Sequence, residues 1–440
     1  MPADCALLPL SQGALLVSRQ WAIFCRVPAE SLDAARGVIA GRLPIGALGR
    51  PLVEQLKRHG FFGLPRKARC AIPTIRFQIT NGCNLACEYC CTGSGGARPD
   101  ELTEAEWRDA VDEAVSCVDG PLRFALLGGE PLLAPFAAGL ASYILSKDRP
   151  LVLYTNGSLL AIPGIAREVA GLIHAGAEVR VSLAGPSRET CDRLSGNKRF
   201  DAAIRGIGGL ADSGARVHVD LMLFPETVDD TIRHLPAFRE MLPESTPLTF
   251  GIAFCGGREL GQHMFPSRTH LEAALDRISL EAGQAIPCCL PSPVSHRREA
   301  CRCAFGHDMH VRSDGLLFNC FKMEEPLGSI REEPLGVVWR RAQTDCRPAT
   351  RLPACSGCAL ATLCGGGCRS ENILYTGKAD QPLCGPWRVR ILSELLADDR
   401  VSALEWPTMY LINEARARGL EAPSCALPAF PSRNNGTTKG

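Results

Sequence analysis

Between residues 72 and 255 the chain alternates six times between a short apolar run and a longer amphipathic stretch. The runs predict strands over 74–80, 122–127, 151–155, 178–183, 216–223 and 248–254. The stretches between them have helical spacing near 102–117, 132–146, 163–175, 199–213 and 227–242. Strands joined by helical crossovers demand a parallel sheet. The fixed hand of the crossover curls such a sheet one way, so the expected class is α/β, an open sheet or a partial (β/α)6 barrel. Ligands of such folds sit at the carboxyl ends of the strands, and chemistry-bearing residues are sought there.

Around this segment the pattern changes. Residues 1–70 read as a small α+β module, with strands over 6–18 and 21–27 around a Gln12-Gly13 turn and helices over 31–40 and 45–59. That order is consistent with a winged helix, or with a cap on one end of a barrel. The sheet domain takes 71–260, and 261–300 is a bridge with one helix over 270–283. Residues 301–390 are cysteine-dense and glycine-rich with little periodicity, a composition that needs metal to hold it. Residues 391–440 are helical at first and end in a polar tail.

Cysteine is the unusual component, 22 of 440 residues. A secreted disulfide framework does not fit, because a chain of this length with 46% hydrophobic residues buries a core without staples. The first 27 residues lack a basic start, and Ser11, Gln12, Arg19 and Gln20 interrupt their apolar runs, so no signal peptide is expected. No apolar run reaches 18 residues, which predicts no membrane span and a cytoplasmic protein. The formal charge of +1 gives no reason to expect nucleic acid. In a reducing compartment, clustered cysteines bind metal or carry out redox chemistry.

Two clusters carry that chemistry. Cys83, Cys87 and Cys90 form a CxxxCxxC directly after the first strand, a pattern expected by chance roughly 0.06 times in a chain of this cysteine content. Three thiolates on one tight loop hold three irons of a [4Fe-4S] cluster and leave the fourth open, although they also suit zinc. Further on come Cys303, Cys320, Cys355, Cys358, Cys364, Cys368 and Cys384. A zinc-ribbon-like structural domain is the plain alternative for this second set. Cys5, Cys25, Cys70, Cys91, Cys117, Cys191, Cys255, Cys346 and Cys425 read as buried thiols.

CxxxCx(aromatic)C, with Tyr89 at the aromatic position, resembles the radical S-adenosylmethionine (SAM) superfamily. Gly128, Gly129, Glu130 and Pro131, at the end of the second strand, resemble that family's GGEP motif, which contacts the amino group of the methionine moiety. Asn156 after the third strand and Ser182 in the fourth match its layout. The family often carries an Arg in an Asp-x-Leu-Arg-Gly stretch. Here Ser195 stands at that place, which leaves Arg193 or Arg199 for the SAM carboxylate.

The second cysteine set resembles the SPASM extension of such enzymes. That resemblance implies three [4Fe-4S] clusters in all. Cys355, Cys358, Cys364 and Cys384 would hold one auxiliary cluster. Cys303, Cys320 and Cys368 would hold the other, with Cys301, Cys288 or Cys289 as candidate fourth ligands.

The implied activity is reductive cleavage of SAM to a 5′-deoxyadenosyl radical, fed by an external donor such as flavodoxin or ferredoxin. Within the family, sulfatase maturases carry an Asp after the cysteine that corresponds to Cys320, where this chain has Phe321. The module ahead of the cysteine loop is similar to the leader-recognition element of enzymes that modify ribosomally made (RiPP) precursor peptides. The expected function is therefore installation of a thioether or carbon–carbon crosslink, or another oxidative modification, in a precursor peptide with a leader. Maturation of a protein or redox cofactor (formylglycine-type or quinone-type), and a non-catalytic iron–sulfur electron carrier, are the alternatives.

Overall fold

The structure is a computed structural model. It describes residues 5–9, 13–18, 23–62, 73–118, 120–252, 308–345, 349–356 and 365–382, with single positions such as Arg258, Ile278 and Cys358 besides. The chain divides into two compact units. One comprises Met1–Cys70, Ser292–Cys303 and Arg347–Gly440, and the other Ala71–Pro291 and Ala304–Cys346.

In the first unit, β1 (Cys5–Pro9), β2 (Ala14–Ser18) and β3 (Ile23–Val27) form an antiparallel sheet in that order. The single strand expected over 6–18 is thus two strands. Its apolar run is folded back on itself, with Pro9 opposite Ala14. Gly13 makes the reversal possible: its φ of 99° suits only glycine, and a Cβ there would lie 2.1 Å from the Val27 carbonyl oxygen. Helices α1 (Leu32–Ile39) and α2 (Arg50–Arg58) follow, close to the two expected. Leu52 and Leu56, one turn apart on α2, join Leu16, Val27, Ala35 and Phe61 in one small buried core.

The second unit is built on one nine-stranded sheet. Strands β4 (Thr74–Gln78), β5 (Arg123–Leu127), β6 (Leu151–Thr155), β7 (Glu178–Leu183), β8 (His218–Leu223) and β9 (Leu248–Ile252) lie side by side in chain order, all parallel. Between them run α3 (Glu104–Cys117), α4 (Ala137–Ser146), α5 (Pro163–His174), α6 (Arg188–Ser195), α7 (Phe200–Asp212) and α8 (Val228–Met241). Among the described residues the sheet is open, with β9 at one edge, as a partial barrel is.

Beyond β4 the sheet continues through β10 (Met309–Val311), β11 (Leu316–Phe318) and β12 (Gly328–Ser329). Asp308 fastens this extension by accepting from the Thr74 N–H at 2.9 Å and the Arg76 guanidinium at 2.8 Å. Helices α9 (Leu335–Asp345) and α10 (Arg369–Thr376) complete the described strands and α-helices, with short 3-10 turns at Ala349–Arg351 and Pro353–Cys355 between them. Residues 301–390, expected to lack regular structure, therefore hold short strands and two helices. Strands of two or three residues are too short to show a period. The helix expected over 270–283 lies outside the described residues except for Ile278, as do Cys288, Cys289, Cys301, Cys303, Cys364 and Cys384. No described helix is long and apolar enough to cross a membrane.

Because successive strands are neighbours, right-handed crossovers put the connecting helices on one face of the sheet. That face is apolar: Phe77 of β4 packs 4.9 Å from Trp107 of α3 and 5.6 Å from Phe124 of β5, all three fully buried. The other face carries Arg76, Tyr154, Arg180, His218 and Asp220, aligned by register across the strands. Shortening Phe124 to Ala empties the centre of the apolar layer. It is expected to cost about 3–5 kcal/mol, read as a lower urea midpoint at unchanged slope.

Candidate active site

The polypeptide leaving β4 meets the end of β5 at very short range. Gly129 donates its N–H to the Thr80 carbonyl and Glu130 donates to the Gly82 carbonyl, each at 2.8 Å. A Cβ on Gly129 would sit 2.3 Å from the Gly82 carbonyl oxygen, and one on Gly128 would sit 2.8 Å from that of Thr80. The glycines therefore let the second strand end lie directly against the root of the cysteine loop.

Pro131 starts a short 3-10 turn, and the Glu130 carboxylate folds under it, fully buried. It accepts from the Leu132 N–H (3.1 Å), the Thr155 hydroxyl (2.8 Å) and the Asn156 N–H (2.7 Å). Burial pushes its pKa upward, opposed by those hydrogen bonds. One side chain thus joins the ends of β5 and β6.

Asn156 extends the linkage to the cysteine loop. Its amide donates to the Asn84 side chain at 2.9 Å, and its Oδ1 accepts from the N–H and hydroxyl of Ser158. Asn84, between Cys83 and Cys87, donates in turn to the Ser158 hydroxyl at 2.9 Å. The loop is held on two further sides. Cys83 donates its N–H to the Gly95 carbonyl at 2.7 Å. Ala86 and Glu88 donate to the carbonyls of Ser195 and Leu194, at the end of α6, each at 3.1 Å. Those carbonyls have no partner within their own helix, so the loop satisfies them. Gly196, at φ 65°, lets the helix end approach Ala86. Arg258 donates its N–H to the Cys90 carbonyl at 3.1 Å and its guanidinium to the Ser94 carbonyl.

The three thiols differ. Burial pushes Cys83 up to about 11, against a hydrogen bond from the Leu85 backbone, with Glu130, Cys87 and Cys90 adding to the rise. Burial also raises Cys87, although Arg199 and the Tyr89 hydroxyl pull the other way. At Cys90, hydrogen bonds from Thr92 and the Ser94 backbone outweigh burial and lower the pKa. Tyr89 itself lies 4.8 Å from Phe224, ring centre to ring centre.

Arg193 and Arg199 separate clearly. Arg193 is half-exposed on α6 and pairs with Glu226 at 3.0 Å. Arg199 is 2% exposed. Its guanidinium donates to the carbonyls of Asn156 (2.7 Å) and Ser182 (2.8 Å) and to the Ser195 hydroxyl (2.8 Å), bracing the ends of β6 and β7. Ser182 takes part through that backbone carbonyl. Asp192 caps the start of α7 by accepting from the N–H groups of Arg199 and Phe200.

The chain pattern pointed to the glycines and cysteines. Asn84, Ser158 and the buried pairing of Arg180 with Asp220 (2.8 and 2.5 Å) on the open face were not anticipated. An Asn-Gly-Ser turn signal at 156–158 was the available hint for Ser158.

Of the second cysteine set, Cys320 follows β11 and starts a turn closed by Met323 at 3.0 Å. In the other unit, Cys355 is buried, and Cys358 packs against the small core of Ala349, Leu352, Cys355 and Ala361. Cys368 caps α10 after Gly365, Gly366 and Gly367, which run left-handed in succession at φ 65°, 76° and 74°. The Gly366 carbonyl is held by Arg369 (2.8 Å) and Asn372 (3.0 Å). Among the thiols expected to be buried, Cys25 and Cys191 are, whereas Cys5, Cys91 and Cys117 are partly accessible.

Soft thiolates on a loop closed by backbone hydrogen bonds are a donor set for an iron–sulfur cluster or zinc. The buried guanidinium beside Cys87 adds a positive charge suited to an anionic cluster. Removal of the Glu130 side chain, as Glu130→Ala, strands three donors, of which the Thr155 hydroxyl is buried and the other two partly so. It is expected to lower stability by about 3 kcal/mol; Glu130→Gln, which keeps one acceptor oxygen, loses less. Thermal unfolding of the two variants measures the difference.

Residues 77–236 match the model of the Radical SAM superfamily. The chain is 26% identical over 344 residues to the AdoMet-dependent heme synthase of Methanosarcina barkeri, covering 70% of this chain and 95% of that protein. It is 23% identical over 342 residues to the PqqA peptide cyclase of Xanthomonas oryzae pv. oryzae, covering 71% of this chain and 87% of that protein. The fold resembles that of Streptococcus suis SuiB bound to its precursor peptide SuiA, with a TM-score of 0.55 and 16% identity over 87% of this chain and 98% of SuiB.

Proposed function

Residues 77–236 are a radical SAM domain, and from that premise we propose that the chain is an enzyme that oxidatively modifies a ribosomally made precursor peptide, by a thioether or carbon–carbon crosslink. Cys83, Cys87 and Cys90 hold a [4Fe-4S] cluster with an open iron. The turn at Gly128–Glu130, Asn156 and Ser182 faces SAM, and Arg199 rather than the half-exposed Arg193 stands on its carboxylate side. The bound cofactors supply the radical. The protein holds the strand ends fixed around them and keeps the site dry. The seven later cysteines carry two auxiliary clusters, and a flavodoxin- or ferredoxin-type protein supplies electrons.

The observation that carries the peptide reading is the sheet β1–β2–β3 ahead of the radical SAM domain. Among the described residues both of its outer strands are paired on one side only. An extended leader can add to such an edge by backbone hydrogen bonding, with a few side-chain pockets for selectivity. The likeness to the PqqA peptide cyclase agrees with a peptide substrate. The likeness to the AdoMet-dependent heme synthase favours a second reading, oxidative modification of a substrate that is not a peptide.

Anaerobically prepared protein is expected to hold about twelve irons, falling to about eight in the Cys83/Cys87/Cys90→Ala variant. With dithionite and SAM, the wild type should release 5′-deoxyadenosine and the variant none. Zinc in place of iron, or unchanged iron in the variant, would remove the radical mechanism. A candidate precursor peptide should lose mass by two hydrogens per crosslink, and only with its leader attached. No mass change in leader-bearing peptides by a protein that does release 5′-deoxyadenosine favours the second reading.

A further inference from the structure

Resting on the assignment of a cluster to Cys83, Cys87 and Cys90, we infer that Arg199 is the fixed counter-charge of that cluster and raises its reduction potential. Burying a charge is costly unless another charge or several hydrogen bonds compensate it. Elsewhere on this sheet the chain observes that rule with carboxylates: Arg76 holds Asp308, Arg180 holds Asp220 and Arg312 holds Asp314. Arg199 is more deeply buried than any of these three, at 2% exposure. Yet its hydrogen bonds to Asn156, Ser182 and Ser195 go to neutral oxygens, a further side-chain contact is to Cys191, and it forms no ion pair with a carboxylate among the described residues.

The acid that feels its charge, Glu130, is committed to Leu132, Thr155 and Asn156. Of the chain's own groups, what remains beside the guanidinium is Cys87, with Tyr89 and Cys191. Of these, Cys87 is the one that the cluster assignment makes a permanent anion. Ser195 fixes its nearness: the Ser195 hydroxyl accepts from Arg199 Nε and the Ser195 carbonyl from the N–H of Ala86, the neighbour of Cys87. The positive charge is also immobile. The carbonyls of Asn156 and Ser182 clamp one terminal nitrogen and the Ser195 hydroxyl holds Nε, so the guanidinium has no freedom to turn away.

A rigid, buried cation acts on the cluster as a whole. One-electron reduction adds one negative charge to the cluster and its thiolates, so a neighbouring positive charge favours the reduced form. Removal of that charge makes the cluster harder to reduce. Arg199 thus helps a donor of moderate potential to deliver the electron that starts the reaction.

The test is a redox titration of full-length protein followed by electron paramagnetic resonance. The signal of this cluster is identified as the one missing from the Cys83/Cys87/Cys90→Ala variant. In Arg199→Met the ratio of reduced to oxidised cluster at fixed potential should fall at least ten-fold, a shift of 59 mV or more to the negative. Arg199→Lys keeps the charge but not the clamp and should stay near the wild type. If Arg199→Met retains its iron at an unshifted potential, the guanidinium is a brace for strand ends and the inference fails. If Arg199→Met cannot hold iron, Arg199→Lys decides: retention with a near-normal potential upholds the charge, whereas equal loss overturns it. Failure of the cluster assignment itself is recognised separately, by unchanged iron and signal in the cysteine variant.

Discussion

The Glu130 carboxylate is the tie on which the carboxyl edge of the sheet depends. It receives donors from the turn after β5, from the last residue of β6 and from the first residue beyond it. Two strands that are neighbours only through their ladder are thereby fixed at their ends as well. Asn156, placed by that bond, reaches Asn84 inside the cysteine loop. The loop is thus positioned by the sheet and not by its own short segment. A loop with three cysteines has no regular hydrogen-bond ladder of its own. It is ordered here because Gly129, Asn156, Ser195 and Leu194 each present a backbone or side-chain partner to it or to its root.

The same edge shows how charge is managed in a dry place. On the open face of the sheet, arginine and aspartate meet directly, as in Arg180 with Asp220, and their fields largely cancel at a distance. At the cysteine loop the Glu130 carboxyl is bonded to neutral donors and the guanidinium of Arg199 to neutral oxygens, and the two form no direct ion pair. Burial raises the Glu130 pKa, whereas a guanidinium stays protonated, so the fixed charge at the root of the loop is the positive one.

The sheet was legible in the chain because strands 151–155 and 178–183 and their connecting helix carry the two competing periods plainly. The helix α6 was not, because Cys191 and Leu194 are nearly its only apolar residues. Its signals were the Ser187 cap and Gly196 at its end, which are local hydrogen-bond cues and not hydrophobic ones. In the N-terminal module the range 6–18 counts as one strand, although the Gln12-Gly13 turn within it is where the chain reverses between β1 and β2. At the site, cysteines and glycines were legible as spaced motifs. Arg199 was noticed as one of two candidates, but its partners Asn156 and Ser182 lie 43 and 17 residues away, and no local pattern records that contact.

The open face of the sheet has a signature of its own. A parallel strand covered on both sides by helices reads as a continuous apolar run. In β7 the sequence instead alternates, with Val179, Val181 and Leu183 buried against the helices while Arg180 and Ser182 face the other way. In β8 Val219, Leu221 and Leu223 alternate with His218 and Asp220 in the same manner. Such alternation is the habit of a strand whose two faces differ: the described connecting helices lie against the apolar face, and the other face carries polar side chains such as Asp220, itself buried. The order of the strands gives the reason, since every crossover between neighbours turns the same way and puts the connecting helices on one side. The polar residues of that side, the tied strand ends above them and the cysteine loop at the rim therefore share one cause, the sequential winding of the chain.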